Sequence, residues 1–171
     1  RGAGGLARRL EVRLLALAAP LTRLALVDVD QRQLVALHTP GHIQAHICLW
    51  LAAQRLLFAG DLVAGQGTVL IIPPDGHMAD YLASLRAMQT LDPAAILPGH
   101  GPVVESPRRL LQEYIDHRLM REQQVLAQWQ QGHTTARAIA GQIYADRPEL
   151  LGIATLQVEA HLQKLKDEGQ L

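Results

Sequence analysis

The sequence predicts an α/β layered fold followed by a smaller helical tail. Between residues 24 and 104, short apolar runs alternate with Gly, Pro and Asp, and one amphipathic helix interrupts them. Several of these runs are continuously apolar, as expected for strands covered on both faces of a sheet. After Pro107 the pattern changes to long segments with helical periodicity. Strands separated by a helix, then helices alone, indicate a layered domain with an appendage.

The predicted strands are six short runs bounded by turn-forming residues. The helix between the last two covers about residues 77–91, where Met78, Leu82, Leu85 and Met88 recur at a spacing of three or four. A helix that connects one strand to the next is typical of an α/β unit. The strands are predicted at residues 24–29, 33–38, 46–52, 56–59, 68–72 and 94–97.

The tail is predicted to consist of one long helix and two shorter ones. The long helix covers 108–131, contains no Gly or Pro, and ends at Gly132. Shorter helices are expected within 134–145 and 154–168, and tight turns between helices suggest a winged-helix-like unit. We expect this tail to pack on the α/β layer. The predicted divisions are 1–105 for the layered domain, 106–131 for the long helix and 132–171 for the C-terminal unit.

Composition restricts the classes of function. Among 171 residues, 16 Lys and Arg balance 16 Asp and Glu, which excludes an overall cationic field for nucleic acid. The single cysteine, Cys48, excludes an internal disulfide and zinc modules built on several cysteines. The expected location is therefore the cytoplasm, with no membrane partner. Arginines concentrate in residues 1–23, and we interpret them as an internal amphipathic segment rather than a transit peptide.

Ligand-type side chains lie beside glycines at the ends of three predicted strands. His42 lies between the second and third strands, His46 begins the third, Asp61 follows the fourth, and His100 follows the last. In layered α/β folds, ligand sites gather where loops leave the strands. Imidazole nitrogens and a carboxylate suit zinc, iron or manganese. A metal site is therefore predicted at this edge of the sheet.

The motifs at these strand ends resemble those of the metallo-β-lactamase superfamily. They are His-Thr-Pro-Gly-His at 38–42, Phe-Ala-Gly-Asp at 58–61 and Leu-Pro-Gly-His-Gly at 97–101. The segments Gly-Gln-Gly-Thr at 65–68 and Tyr-Ile-Asp-His-Arg at 114–118 are similar to a lactamase-like group with a C-terminal winged helix, which includes an endoribonuclease. The resemblance implies metallo-β-lactamase-type αβ/βα layers, of which this chain has the downstream half.

The resemblance also implies roles for individual residues. His42 matches a ligand of the family's first metal, Asp61 the carboxylate that bridges two metals, and His100 a ligand of the second metal. His46 is expected to orient neighbouring groups rather than to bind metal. The implied cofactor is a pair of zinc ions, with iron or manganese as alternatives.

One part of the family pattern is missing. The family's upstream His-x-His-x-Asp-His motif has no counterpart, because the sequence contains no His-x-His. We therefore expect the chain to be the downstream portion of a longer protein and to be inactive alone. The alternative is a true loss of the site, which would leave an inactive scaffold or a binding module.

The implied activity is metal-dependent hydrolysis. The winged-helix relatives favour RNA phosphodiesters as substrate, whereas the His-Thr-Pro-Gly-His signature is shared with glyoxalase II-type thioester hydrolases. The expected partner is thus a small-molecule or RNA substrate. Strong binding of duplex DNA is not expected, because the last predicted helix carries no excess of positive charge. The sequence leaves a homo-oligomer open.

Overall fold

The computed structural model describes Val12–Arg13, Arg23–Val29 and residues 32–171. Most of the arginine-rich segment 1–23 therefore lies outside the described residues. Within the described part, six strands form one sheet in the order β1-β2-β3-β4-β5-β6. These are β1 (Val12–Arg13), β2 (Arg23–Val29), β3 (Arg32–His38), β4 (Ile47–Leu51), β5 (Leu56–Gly60) and β6 (Ala95–Pro98).

The sheet is antiparallel except at its last pair. Each strand from β1 to β4 pairs antiparallel with the next one, whereas β5 and β6 run parallel. A parallel pair needs a crossover, and helix α1 (Met78–Thr90) lies in the connection between β5 and β6. The carboxyl-terminal ends of β5 and β6 therefore lie side by side at one edge of the sheet. Five of the six predicted strands are confirmed, with boundaries that differ by at most one residue at either end.

The strand predicted at residues 68–72 is wrong, because this segment has no regular secondary structure. Its apolar side chains are buried: Ile71 is inaccessible and Val69 nearly so. Its carbonyl groups, however, accept hydrogen bonds from side chains instead of pairing with a neighbouring strand. The donors are His42 Nδ1 to Leu70, Arg118 Nη2 to Val69, and Gln157 Nε2 to Ile71.

The predicted amphipathic helix is confirmed as α1. Its buried face includes Met78, Tyr81, Leu82, Leu85 and Met88, at the three-to-four spacing seen in the sequence. These side chains pack against the inward residues of β3 to β6, among them Leu37, Cys48, Trp50, Leu57 and Ile96. Burial of this stripe joins the sheet to its helical layer.

The opposite face of the sheet carries exposed apolar side chains. Along β4, Cys48 and Trp50 point into the core, so Ile47 and Leu49 lie on the other face. Leu49 pairs with Phe58 across the strands. Ile47 is 45% exposed and Phe58 37% exposed. An apolar surface of this kind is typical of a contact region.

The tail contains the predicted helices. They are α2 (Pro107–Gln130), α3 (Ala136–Ile143) and α4 (Leu151–Asp167). The first half of α2 joins the main core through Leu111 and Ile115, whereas Val125 near its end joins a second core with α3 and α4. Among the described residues, no helix is both long and apolar enough to cross a membrane.

The expected packing of the tail on the α/β layer is confirmed by direct contacts. Gln157 of α4 donates to the Ile71 carbonyl at 2.9 Å. The His77 ring, at the start of α1, lies 3.0 Å from the Asp80 carboxylate and 3.3 Å from that of Asp167 at the end of α4. The buried Arg118 of α2 also reaches the loop before α1. The tail is thus anchored to the loop that precedes α1.

Candidate metal site

The turn that carries His42 is held against α1. Gly41 has a φ of +131°, and a Cβ atom at this position would lie 2.3 Å from the Tyr81 Cα atom. Only glycine therefore permits this close approach. The turn is tied further by a hydrogen bond from the His77 amide to the Gly41 carbonyl at 2.8 Å and by one from Ser84 Oγ to the Pro40 carbonyl at 2.7 Å.

A backbone contact sets the tautomer of His42. The Nδ1 atom lies 2.8 Å from the Leu70 carbonyl oxygen. Because a carbonyl only accepts, Nδ1 carries the proton and the neutral ring leaves Nε2 with a free lone pair. Histidine ligands of metals typically show this arrangement, in which the other ring nitrogen donates to a carbonyl or carboxylate.

Asp61 and His100 come together because β5 and β6 are parallel neighbours. Asp61 directly follows β5 and His100 lies two residues after β6, and His100 Nε2 is 3.5 Å from Asp61 Oδ1. The Gly99 amide donates to the Gly60 carbonyl at 2.7 Å, and a Cβ atom on Gly99 would lie 2.8 Å from Asp61 Oδ1. The pair is exposed, so its ionic attraction contributes little to stability and both side chains remain accessible.

His46 is buried, and both of its ring nitrogens have partners. The Asp61 amide donates to Nε2 at 3.2 Å, so the proton lies on Nδ1, which donates to Thr39 Oγ1 at 2.8 Å. The Thr39 hydroxyl in turn donates to Cys48 Sγ at 3.3 Å, and this thiol lies 3.5 Å from the Ala59 carbonyl. The result is one directed chain of hydrogen bonds from the Asp61 backbone into the core.

Burial sets the protonation states of His46 and Cys48 in this series of hydrogen bonds. It lowers the pKa of His46 below its ordinary 6.5, and the neighbouring His42 ring lowers this pKa further. Burial also raises the pKa of the Cys48 thiol to about 12. A neutral imidazole and a neutral thiol are therefore the forms present near pH 7. Cys48 is a core residue, and in this arrangement His46 holds the Asp61 backbone.

These residues do not by themselves fit a complete metal centre. Within Val12–Arg13, Arg23–Val29 and residues 32–171, no group of three or more His, Cys, Asp or Glu side chains is placed to hold an ion. Zinc sites in proteins use at least three protein ligands. Asp61 and His100 are brought together. The His42 ring is linked to them through His46, whose ring centre lies 6.4 Å from that of His42 and whose Nε2 accepts from the Asp61 amide. The roles of His42, Asp61 and His100 as ligands remain predictions.

Two functional features were missed by the sequence reasoning. The i, i+4 spacing of Arg118 and Glu122 would allow a pair within the helix, but Arg118 is 3% exposed and bonds to Gln157 and Thr68. Glu122 bonds to Lys164, at 2.8 Å. An Arg at a partly apolar helical position is the signal that it points inward.

Comparison with known proteins agrees with this architecture. The profile of the Metallo-beta-lactamase superfamily matches residues 2–100, and that of the Beta-lactamase associated winged helix domain matches residues 135–171. The chain therefore belongs to the metallo-beta-lactamase superfamily and carries a C-terminal winged-helix domain. The predicted fold class is confirmed.

Relatives were found among curated proteins and solved structures. The chain is 37% identical over 145 residues to a Beta-lactamase-like protein 2 homolog of Caenorhabditis elegans, covering 84% of this chain and 48% of that protein. It is 36% identical over 99 residues to an Atrochrysone carboxyl ACP thioesterase of Aspergillus fumigatus, covering 58% and 30%. A metallo-beta-lactamase family protein of Thermus thermophilus superposes with a TM-score of 0.72 at 24% identity, covering 84% and 47%. The chain thus spans about half the length, or less, of the relatives it matches.

Proposed function

We propose that this chain provides part of the active site of a metal-dependent hydrolase, with His42, Asp61 and His100 as metal ligands. The observation that carries the proposal is the Asp61–His100 pair at the ends of two parallel strands, in a chain of a generally hydrolytic superfamily. The remaining ligands must come from outside the described residues, since these contain no group of three donors.

The chain's own residues prepare this edge for a cation. The Leu70 carbonyl keeps a proton on Nδ1 of His42, so Nε2 is the nitrogen that can bind a cation. Asp61 offers an exposed carboxylate, and His46 fixes the backbone from which that carboxylate extends. Two zinc ions, as the family resemblance implies, are the proposed cofactor; imidazole and carboxylate donors suit zinc and also iron or manganese.

RNA phosphodiesters are the proposed substrate class. The winged-helix domain match supports a nucleic-acid substrate, since units of this kind commonly contact nucleic acid. Strong binding of a duplex by α4 is not part of this proposal, because Lys164 of α4 already bonds to Glu122 and Glu168 at 2.8 Å each. This helix therefore has little free positive charge for the phosphates of a duplex.

Thioesters are a second candidate substrate. The specific observation in their favour is the thioesterase among the relatives, which matches over 58% of this chain. The winged-helix tail distinguishes the two candidates, because only the RNA proposal gives it a role in recognising the substrate.

The test uses the natural protein that carries this sequence, assayed with single-stranded RNA, a thioester and a simple phosphodiester. We expect hydrolysis that a chelator abolishes and that added zinc restores. Asp61→Asn should remove both activity and bound metal. Asp92→Asn is the matched control and should remove neither, since Asp92 is exposed and pairs with Arg55, outside the candidate metal site. Full activity of Asp61→Asn, or activity insensitive to chelation, would contradict the proposal.

A further inference from the structure

A cavity of about 330 Å³ lies in the tail, between α2, α3 and α4 and beside the irregular segment 68–72. It is separate from the strand-end residues of the candidate metal site, none of which lines it. Its volume is at the lower end of the range of small-molecule sites in proteins. The cavity therefore has room for a small ligand.

The lining of this cavity is positively charged. Arg118 and Arg121 of α2 and Arg147 before α4 contribute, and the described residues that line it include no Asp or Glu. Two further lining residues, His117 and His161, are uncharged near pH 7, because burial lowers the pKa of each and the adjacent Arg118 lowers it further. Three positive charges without a facing carboxylate in the lining favour an anionic ligand.

Several lining nitrogens are buried and lack a hydrogen-bond partner within the described part of the chain. They are Arg118 Nε, Arg121 Nε and His161 Nδ1. The Arg118 and His161 side chains are almost fully buried, at 3% and 2% exposed. A buried polar group without a partner is destabilising, so each such group requires an explanation.

The Arg118 side chain is held at two of its three nitrogens. Its Nη1 donates to Gln157 Oε1 at 3.1 Å, and its Nη2 donates to Thr68 Oγ1 at 3.1 Å and to the Val69 carbonyl. Its third nitrogen, Nε, is buried and has no hydrogen-bond partner among the described residues. The nearest carboxylate to His161 belongs to Glu122, whose Oε2 is 3.7 Å from Nδ1 and whose Oε1 accepts from Lys164. Glu122 Oε2 is itself buried without a hydrogen-bond partner, so His161 Nδ1 already faces a carboxylate, and the donors available to a ligand are the Nε atoms of Arg118 and Arg121.

Most of the remaining lining is apolar. Leu70, Val125, Ile143, Ile153 and Val158 contribute aliphatic surface. The Arg121 guanidinium lies over the Tyr144 ring, with its Cζ atom 4.7 Å from the ring centre. This cation–π contact fixes the orientation of the arginine. The site thus combines donors for an anion with surface for an apolar chain or ring.

We propose that this cavity binds a small amphiphilic anion, in which a carboxylate or phosphate is attached to an apolar chain or ring. The anion would accept from the free Nε–H groups of Arg118 and Arg121, and the apolar part would cover the aliphatic wall. The site shares segment 68–72 with the candidate metal site, since Leu70 lines the cavity and its carbonyl accepts from His42. The proposal does not depend on the hydrolase activity.

Calorimetric titration of the full chain at pH 7.5 tests this inference. The probes are octanoate and octyl phosphate, with 1-octanol as the uncharged control and inorganic phosphate as the control without an apolar part. We expect saturable binding of at least one of the two amphiphiles and of neither control. Binding of octanoate alone identifies a carboxylate site, and binding of octyl phosphate alone identifies a phosphate site.

Two variants assign the binding to this cavity. Arg121→Gln removes a charge without opening the core, and it should weaken binding about 10-fold or more, the usual effect of losing a charged hydrogen-bond donor. Arg109→Gln is the matched control, because Arg109 is an exposed arginine of the same helix outside the cavity. Equal binding of octanol and octanoate, unchanged affinity in Arg121→Gln, or no binding of either amphiphile would overturn the inference.

Discussion

Replacing Thr39 by Val tests whether the hydrogen-bond chain through His46 maintains the candidate metal site. Thr39 is fully buried, and its hydroxyl accepts from His46 Nδ1 and donates to Cys48 Sγ. Valine has nearly the same shape but lacks the hydroxyl. The substitution therefore leaves the buried Nδ1–H of His46 without a partner and changes little else in the packing.

The expected loss follows from the unsatisfied donor. A buried donor that loses its partner costs about 1–3 kcal/mol of unfolding free energy. For a chain of this size, each kcal/mol corresponds to a fall of about 2–4 °C in the unfolding midpoint. His46 should also lose its fixed orientation, and the hydrogen bond that it accepts from the Asp61 amide should weaken.

Urea unfolding followed by tryptophan fluorescence measures the stability, and the Asp61 amide resonance reports the local geometry. Thr39→Ser is the matched control, because it keeps the hydroxyl and removes one methyl group, at a cost of about 1 kcal/mol. We expect the Asp61 resonance to move in the valine variant and to remain near its wild-type position in the serine variant. Wild-type stability of Thr39→Val, with an unmoved Asp61 resonance, would refute this account of His46.

Three further predictions concern packing, pH and the proposed ligands. Gly41→Ala should lower the unfolding free energy by more than the usual cost of overpacking, about 1–3 kcal/mol, since its Cβ would meet the Tyr81 backbone; urea unfolding measures this, and wild-type stability would contradict it. Below pH 6.5 the unfolding free energy should fall, because burial lowers the folded-state pKa of His161, so the unfolded chain binds a proton that the folded chain does not. Urea unfolding from about pH 7.5 to 5.5 measures this fall, and an equally large fall in His161→Gln would exclude this cause. In the natural protein, Asp61→Ala should reduce metal content and hydrolysis rate more than His46→Ala, for which the loss should be about 10–100-fold; the reverse order would show that the ligand assignment is wrong.

Most of the secondary structure was predictable because local signals agree with the tertiary environment. The apolar runs of β5 and β6 are short and end at Gly60 and Pro98, so their limits are visible in the sequence. The stripe of α1 has the helical period and is buried as expected. In such elements propensity, pattern and packing point to the same structure.

The failure at residues 68–72 has a physical cause in contacts distant in sequence. The segment has the composition of a strand, but its carbonyls accept from His42, Arg118 and Gln157, which lie up to 86 residues away. Such side-chain partners leave no periodic trace within the segment itself. The same limit applies to the buried Arg118, whose partners belong to other elements.

The candidate metal site was predictable only in its position. The sequence places Asp61 and His100 at strand ends, and parallel pairing of β5 and β6 brings them within 3.5 Å. The tautomer of His42 and the role of Thr39 depend on loop geometry that composition does not encode.

Calorimetric titration of this chain with zinc tests the central claim most directly. The claim is that His42, Asp61 and His100 are metal ligands of a centre that the described residues do not complete. We predict weak binding of less than one equivalent, which Asp61→Asn abolishes, because fewer than three protein ligands surround either ion. Tight binding of two equivalents by the chain alone, with metal-dependent hydrolysis, would contradict the claim.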